Sequence, residues 1–327
     1  MWASIVRRRS SWLGHQHDPA ELDPLPGWQP GNPCAIDVLP LPSCADVRAS
    51  GRQYGHDPWT PATSWSAPPP LPSGTTAEQV PVVRDVEQLH RFLAGAAVDP
   101  AVFALRPDYR ALLVVVDGLA PRSTDGSSEG LLVAAEAAAR ESLAGRPPEE
   151  LPHVAAWRDA YRAFTKPQRN RNSLEALLRR IDAGLPRVNT LTDTYNAVSV
   201  RHLIPLGGED LDRYTGPPRL VRATGEEPFD TTSGGVEVVE HPDAGEVVWC
   251  DDAGVTCRRW NWRQARRTQL HDGTTAALFI LDALDPLTDA ALEAAADELV
   301  DHLFRFGDEV RVARRLLVAP ERAGDGG

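Results

Sequence analysis

From about Pro81 onward the spacing of apolar residues divides the chain into helical and extended stretches. Ala111 to Leu119, ALLVVVDGL, is a continuous β-branched run ended by Asp-Gly, which predicts a buried strand. Glu129 to Gly145 carries leucine and alanine at helical spacing and predicts a helix closed by its glycine. His153 to Phe164 predicts a second helix, with Val154, Trp157, Ala160, Tyr161 and Phe164 on one face. Asn172, with Glu175 three residues on, has a capping-box arrangement and begins a third helix that Gly184 stops. A fourth runs from about Thr190 to Leu203, where Pro205 ends it.

Strands dominate next. Pro218 to Thr224, Glu246 to Asp251 and Ala276 to Leu284 alternate or run apolar. The turn signal Asp251 to Gly254 makes Glu246 to Thr256 a hairpin. A long final helix puts Leu292, Ala296, Leu299, Leu303 and Phe304 on one stripe. Helices and strands mix without regular βαβ alternation, so the fold class is α+β, a mixed sheet packed with helices. There is no internal repeat.

Residues 1–80 break this pattern. They hold nearly half of the 29 prolines and isolated tryptophans with no period, so they are expected to be a disordered or loosely docked extension. The ordered domain is then 81–318, with a short tail at 319–327. Lys166 is the sole lysine among 34 basic residues, and the net charge of −12 argues against non-specific binding of long nucleic acid. It leaves room for a tRNA end on a local basic patch, because contacts are local. No apolar run approaches the roughly 20 residues of a membrane span. Met1 to Gly14 lacks the apolar core of a secretory signal, so a cytoplasmic location is expected. Cys34, Cys44, Cys250 and Cys257 fit reduced thiols better than a metal site, and neither a metal nor any other cofactor is expected.

Three stretches could carry chemistry. Asn189, Asp193 and Asn196 lie at i, i+4 and i+7 of the fourth helix and share one face. Such poor helix formers on one stripe make either a polar pocket wall, orienting an amino acid or a water, or a buried network fixing the helix to the sheet. Glu209, Asp210 and Asp212 follow Gly207-Gly208, which reads as a flexible loop with solvated acids. Arg258 to Arg267 holds five arginines and no acid, with Trp260 and Trp262 interleaved. Strand alternation would put both tryptophans on one face, with Asn261 and Arg263 on the other. Guanidinium groups match phosphate and tryptophan offers a base a stacking plane, whereas the plainer reading has arginine stems covering tryptophan.

Taken in order, LPRVNTLTDTYNAVS, IPLGGEDLDRYTGPPRLVRAT and GEVVWCDDAGVTCRRW resemble the editing domain of the phenylalanyl-tRNA synthetase β subunit. Asn189, Asp193, Asn196, Pro205, Asp210, Asp252 and Gly254 match its pattern, and the resemblance covers roughly Pro81 to Asp301. It implies a free-standing B3/B4-type domain that deacylates mischarged aminoacyl-tRNA in trans. The family's editing-site histidine falls at Gly207, and its glycine-rich turn is replaced around Arg263 and Gln264, so the pocket is remodelled. The amino acid removed is then tyrosine or a non-protein one such as an arginine analogue. Asp193 and Asn196, which match the pattern, and Glu209, an acid beside the matching Asp210, are then the catalytic candidates. Asn189, Asp210, Asp252, Asn261 and Arg263 would bind substrate, and Arg258, Trp260, Arg266 and Arg267 would meet the aminoacylated acceptor end of tRNA. The alternative is a non-catalytic module binding tRNA or an amino acid. Neither a membrane nor DNA is an expected partner.

Overall fold

A computed structural model describes residues 84–120, 128–165 and 171–320. The expectations for the proline-rich extension and for the tail beyond residue 320 lie outside the described residues. Asp85 opens α1 (Val86–Ala94) with a reciprocal capping box to Gln88. Then come β1 (Ala97–Val98), α2 (Pro100–Phe103) and β2 (Arg110–Asp117). Helices α3 (Glu129–Leu143), α4 (Pro152–Arg162), α5 (Ser173–Leu178) and α6 (Thr190–His202) follow. They lead to β3 (Leu206–Asp210), β4 (Arg219–Arg222), β5 (Phe229–Ser233) and β6 (Val236–Glu240). The chain continues through β7 (Val247–Asp251), β8 (Gly254–Arg258), β9 (Arg263–Gln264) and β10 (Ala276–Ala283). It closes with α7 (Asp289–Leu303) and β11 (Arg311–Val318).

The helices and strands predicted from spacing are present, with three differences. α5 stops at Leu178 instead of reaching Gly184, although Asn172 caps it as expected by accepting from the Glu175 amide at 2.8 Å. The Glu175 carboxylate does not reach back to complete the capping box. It binds Arg158 at 3.0 Å and Arg179 at 2.9 Å. α7 ends at Leu303, and Phe304 begins a short 3-10 turn that leaves its ring half exposed. Finally, Leu206 to Asp210 is not a loop. It is a strand paired antiparallel to β10, with Glu209 opposite Leu278 and Gly207 opposite Ile280.

Two sheets and a helical layer make the architecture. An antiparallel sheet runs in the order β11-β2-β10-β3, a five-stranded sheet in the order β1-β4-β7-β8-β9, and β5-β6 form a separate hairpin. Alternate residues of β2 and β10 enter different cores. Leu112, Val114, Val116 and Phe279 pack against Leu191 and Val198 of α6 and Leu292 and Leu299 of α7. Ala111, Leu113, Val115 and Leu278 pack against Leu220 and Trp249 of the five-stranded sheet and Trp157 of α4. Both faces of β2 are buried, which is why its sequence is continuously apolar. β3 and β9 are the end strands of their sheets. Gln264 of β9 bridges them, its side-chain amide donating to the Gly208 carbonyl at 2.8 Å.

Candidate functional site

β3 alternation turns Asp210 toward the helical side and Glu209 into the layer between the sheets. Glu209 is 2 % exposed and accepts a hydrogen bond from the Tyr214 hydroxyl, which also lies 3.4 Å from Thr256. Burial outweighs these bonds and the nearby Arg267 charge, and the carboxyl is pushed up to about 7. Asp210 accepts from the Asp212 amide at 3.0 Å and from the Thr274 hydroxyl at 2.8 Å, with the His271 ring 3.2 Å away. Tyr214 and His271 both line an open cleft of about 530 Å3, whose other walls are Asp212, Arg213, Thr215, Arg266, Arg267 and Gln269.

Asp251 ties these walls together. Its side chain accepts from the amides of Thr215, Ala253 and Gly254, at 2.8, 2.9 and 3.2 Å. Arg267 grips the same carboxylate at 2.9 and 2.5 Å and donates to the Arg213 carbonyl at 2.8 Å. The loops on both sides of the cleft are therefore fixed to one buried acid.

A second buried carboxyl sits deeper in the same layer. Asp282 of β10 accepts from the Tyr109 hydroxyl at 2.5 Å and from the Asn261 side-chain amide at 3.3 Å. The Asn261 side chain in turn accepts from the Tyr161 hydroxyl at 2.9 Å. Burial pushes Asp282 up to about 7 as well. The Cys250 thiol, buried and free, is pushed up to about 12, and burial raises the free Cys257 thiol too.

The polar stripe of α6 is largely a structural network. Asn189 caps the helix, accepting from Thr192 at 2.9 Å and donating to the Leu270 carbonyl at 3.3 Å. Asp193 accepts from the Ser128 hydroxyl and the Val188 amide, each at 2.8 Å. One oxygen thus serves the entrance of α6 and the other ties it to the start of α3, a correction to the role expected of Asp193 in orienting substrate. Asn196 is buried on the same face.

The basic stretch needs more correction. Arg259 and Trp260 both adopt left-handed backbone, with φ of 49° and 67°, so β8 stops at Arg258 and alternation fails. Trp260 is fully buried, its ring edge-on to Tyr109 at 5.0 Å and to Trp157 at 5.4 Å. It cannot stack on a base. Arg258 is buried and bidentate to Glu246 at 2.9 and 2.8 Å, so it is not a phosphate contact. Asn261 is internal, as described, instead of facing a substrate. Arg263 donates to the Thr232 carbonyl at 2.9 Å, and Arg266 pairs with Asp230 at 3.2 Å and Glu237 at 2.8 Å. Asp252 pairs with Arg219 at 2.7 Å on the surface.

Of the expected site residues, the fold therefore gathers Glu209, Asp210, Arg266 and Arg267 around one cleft. Tyr214, Asp251 and His271 join them; Tyr214 and His271 belong to no motif, and Asp251 was visible only as the start of a turn. At Gly207, where the sequence resemblance puts a histidine of the family, a Cβ would lie 3.2 Å from the Gln264 side-chain nitrogen. Among the described residues no group of three or more His, Cys, Asp or Glu is placed to hold a metal ion, and no helix is long and apolar enough to cross a membrane.

Comparison with known proteins yields a match to the family model described as the B3/4 domain, over residues 156–304. No curated protein matches. Among solved structures, one similar chain is an N-terminal fragment of the phenylalanyl-tRNA synthetase beta-subunit from Pyrococcus horikoshii, at 11% identity and a TM-score of 0.35. The alignment covers 68% of this chain and 50% of that one, so this chain spans about half of that fragment's length. Residues 156–304, the segment containing α6, β3 and the cleft, are thus similar to the B3/4 domain.

Proposed function

We propose that this protein hydrolyses the ester bond of mischarged aminoacyl-tRNA, with the Glu209–Tyr214 pair at the cleft as its proton acceptor. One observation carries this reading: a buried carboxyl near neutrality, hydrogen-bonded to the buried hydroxyl of Tyr214, a residue that lines an open polar cleft. A group poised near the working pH is what general base catalysis needs. Water in the cleft gives a proton to the Tyr214 oxygen as Tyr214 passes its own to ionised Glu209. The hydroxide so formed adds to the ester carbonyl, the carbon–oxygen bond to ribose breaks, and the ribose oxygen recovers the proton. An aminoacyl ester is already activated, so positioning and one proton acceptor suffice.

A panel of mischarged tRNAs incubated with the protein tests the reading. Glu209→Gln is expected to lower turnover by about 100-fold or more, within the usual range for a lost general base. Tyr214→Phe is expected to do the same while leaving the fold intact by circular dichroism. Full activity in either folded variant removes the pair from the chemistry.

A second reading, a non-catalytic module binding tRNA or an amino acid, is favoured by Gly207. The position where the sequence resemblance puts a histidine of the family bears no side chain here. Retention of mischarged tRNA on filters without deacylation would select it.

A further inference from the structure

The β5–β6 hairpin has one edge that is taken and one that is open. Gly234 and Gly235, with φ of 57° and 81°, form a two-residue turn that makes Ser233 and Val236 the closing hydrogen-bonded pair. Alternation from that pair turns the backbone groups of Asp230 and Thr232 away from β6, and those of Glu237 and Val239 away from β5. On the β5 side both carbonyls are used. Asp230 accepts from the Arg266 amide at 2.9 Å, and Thr232 from the Arg263 guanidinium at 2.9 Å. On the β6 side, the outward groups of Glu237 and Val239 meet no backbone partner among the described residues.

Two valines flank this open edge. Val236 and Val239, 65 % and 62 % exposed, are the most exposed large apolar side chains among the described residues. One position is even and the other odd, so they project from opposite faces of the strand. A partner laid on one face would cover only one of them, whereas a strand added alongside β6 shields both. Charge usually guards an open edge, but here it is neutralised within the chain. Glu237 pairs with Arg266 at 2.8 Å, and Glu240 with Arg258 at 3.1 Å.

The strand is also complementary to itself. Laid antiparallel about Val238, two copies of β6 set Glu237 of each against Val239 of the other, and Val236 against Glu240. No two acids are then directly opposed. Glu237 and Val239, the residues with outward groups, fall opposite each other, which makes them the hydrogen-bonded pairs of the new ladder. We infer that β6 is the pairing edge of a symmetric dimer, in which a second copy of this chain continues the hairpin as one sheet across a two-fold axis. This contact involves no residue of the Glu209–Tyr214 pair, so it holds or fails separately from the reaction proposed above.

Sedimentation velocity on the full chain, over a series of rising concentrations, tests it. The mean mass is expected to climb from that of one chain toward that of two. Val239→Pro removes an outward N–H while sparing the bonds to β5, and Val239→Glu sets an acid against Glu237 of the second copy. Each change acts twice in a symmetric pair, and each is expected to weaken association about tenfold or more, the scale of a pair of lost hydrogen bonds. Val133→Glu, at an exposed valine of α3, is expected to associate as wild type does. Circular dichroism checks that the variants fold, and Val239→Glu carries the test if the proline variant does not. A wild type that stays monomeric throughout overturns the inference and leaves the edge to a strand of another protein. Folded Val239 variants that associate as wild type does overturn it as well, as does an equal loss in Val133→Glu.

Discussion

Trp260 and Asp193 show how one side chain can have the composition of a binding residue and a structural position. Trp260 is enclosed by Tyr109, Trp157 and Phe164, so Trp260→Ala removes a filled volume from the main core. Its expected cost is about 3–5 kcal/mol of folding stability, read from a denaturation curve, with no selective loss of tRNA affinity in whatever fraction stays folded. A stable variant with weakened tRNA binding would reverse the assignment. Asp193→Ala leaves the Ser128 hydroxyl and the Val188 amide without their acceptor. An unsatisfied buried donor costs about 1–3 kcal/mol, so a lower denaturation midpoint is expected. Deacylation per folded molecule should persist, and its abolition in a fully stable variant would return Asp193 to the site.

Among the elements, the β7–β8 hairpin illustrates what the sequence made legible. The Asp-Asp-Ala-Gly turn is present, and Gly254 has φ of 138°, a conformation open to glycine and strained for other residues. A Cβ at Gly254 would also come within 2.5 Å of the Pro228 carbonyl oxygen. Gly254→Ala is therefore expected to cost at least about 1–3 kcal/mol and to loosen the Asp251 hub, with a fall in melting temperature as the readout. β2, β10 and the helices were legible for the same reason as this turn, since their periodicity or turn chemistry is local. β3 was not. LGGED has two glycines and two acids, and it becomes a buried strand because β10 pairs with it across about seventy residues of intervening chain. The site followed the same division. Glu209 and Asp210 were visible as acids, but Tyr214, Asp251 and His271 acquire meaning only when the loops after β3 and β9 close on one another. The tryptophan pair misled because two left-handed residues interrupt what reads as a strand.

At the scale of the molecule, the layer between the two sheets stores two carboxyls that fold best when protonated. Glu209 and Asp282 are each raised to about 7 from ordinary values near 4, mainly by burial. In the unfolded chain both are ionised above about pH 5, whereas in the folded protein each keeps its proton until about pH 7. The folded state thus binds more protons in that interval, and the contribution of each group to stability falls as pH rises. It is fully present below the unfolded value and lost above the folded one. One pKa unit is worth about 1.4 kcal/mol, so the change reaches a few kcal/mol per group. Other ionisable groups add their own slopes, and Glu209→Gln removes one raised carboxyl together with its repulsion of Asp282. Chemical denaturation of wild type and variant from pH 5 to 8 therefore reads Glu209 and its coupling to Asp282. The stability of wild type relative to the variant is expected to decline up to about pH 7 and level off above it. A difference that stays constant with pH would mean that Glu209 ionises normally in the folded protein, and the buried proton acceptor behind Tyr214 would then have no physical basis.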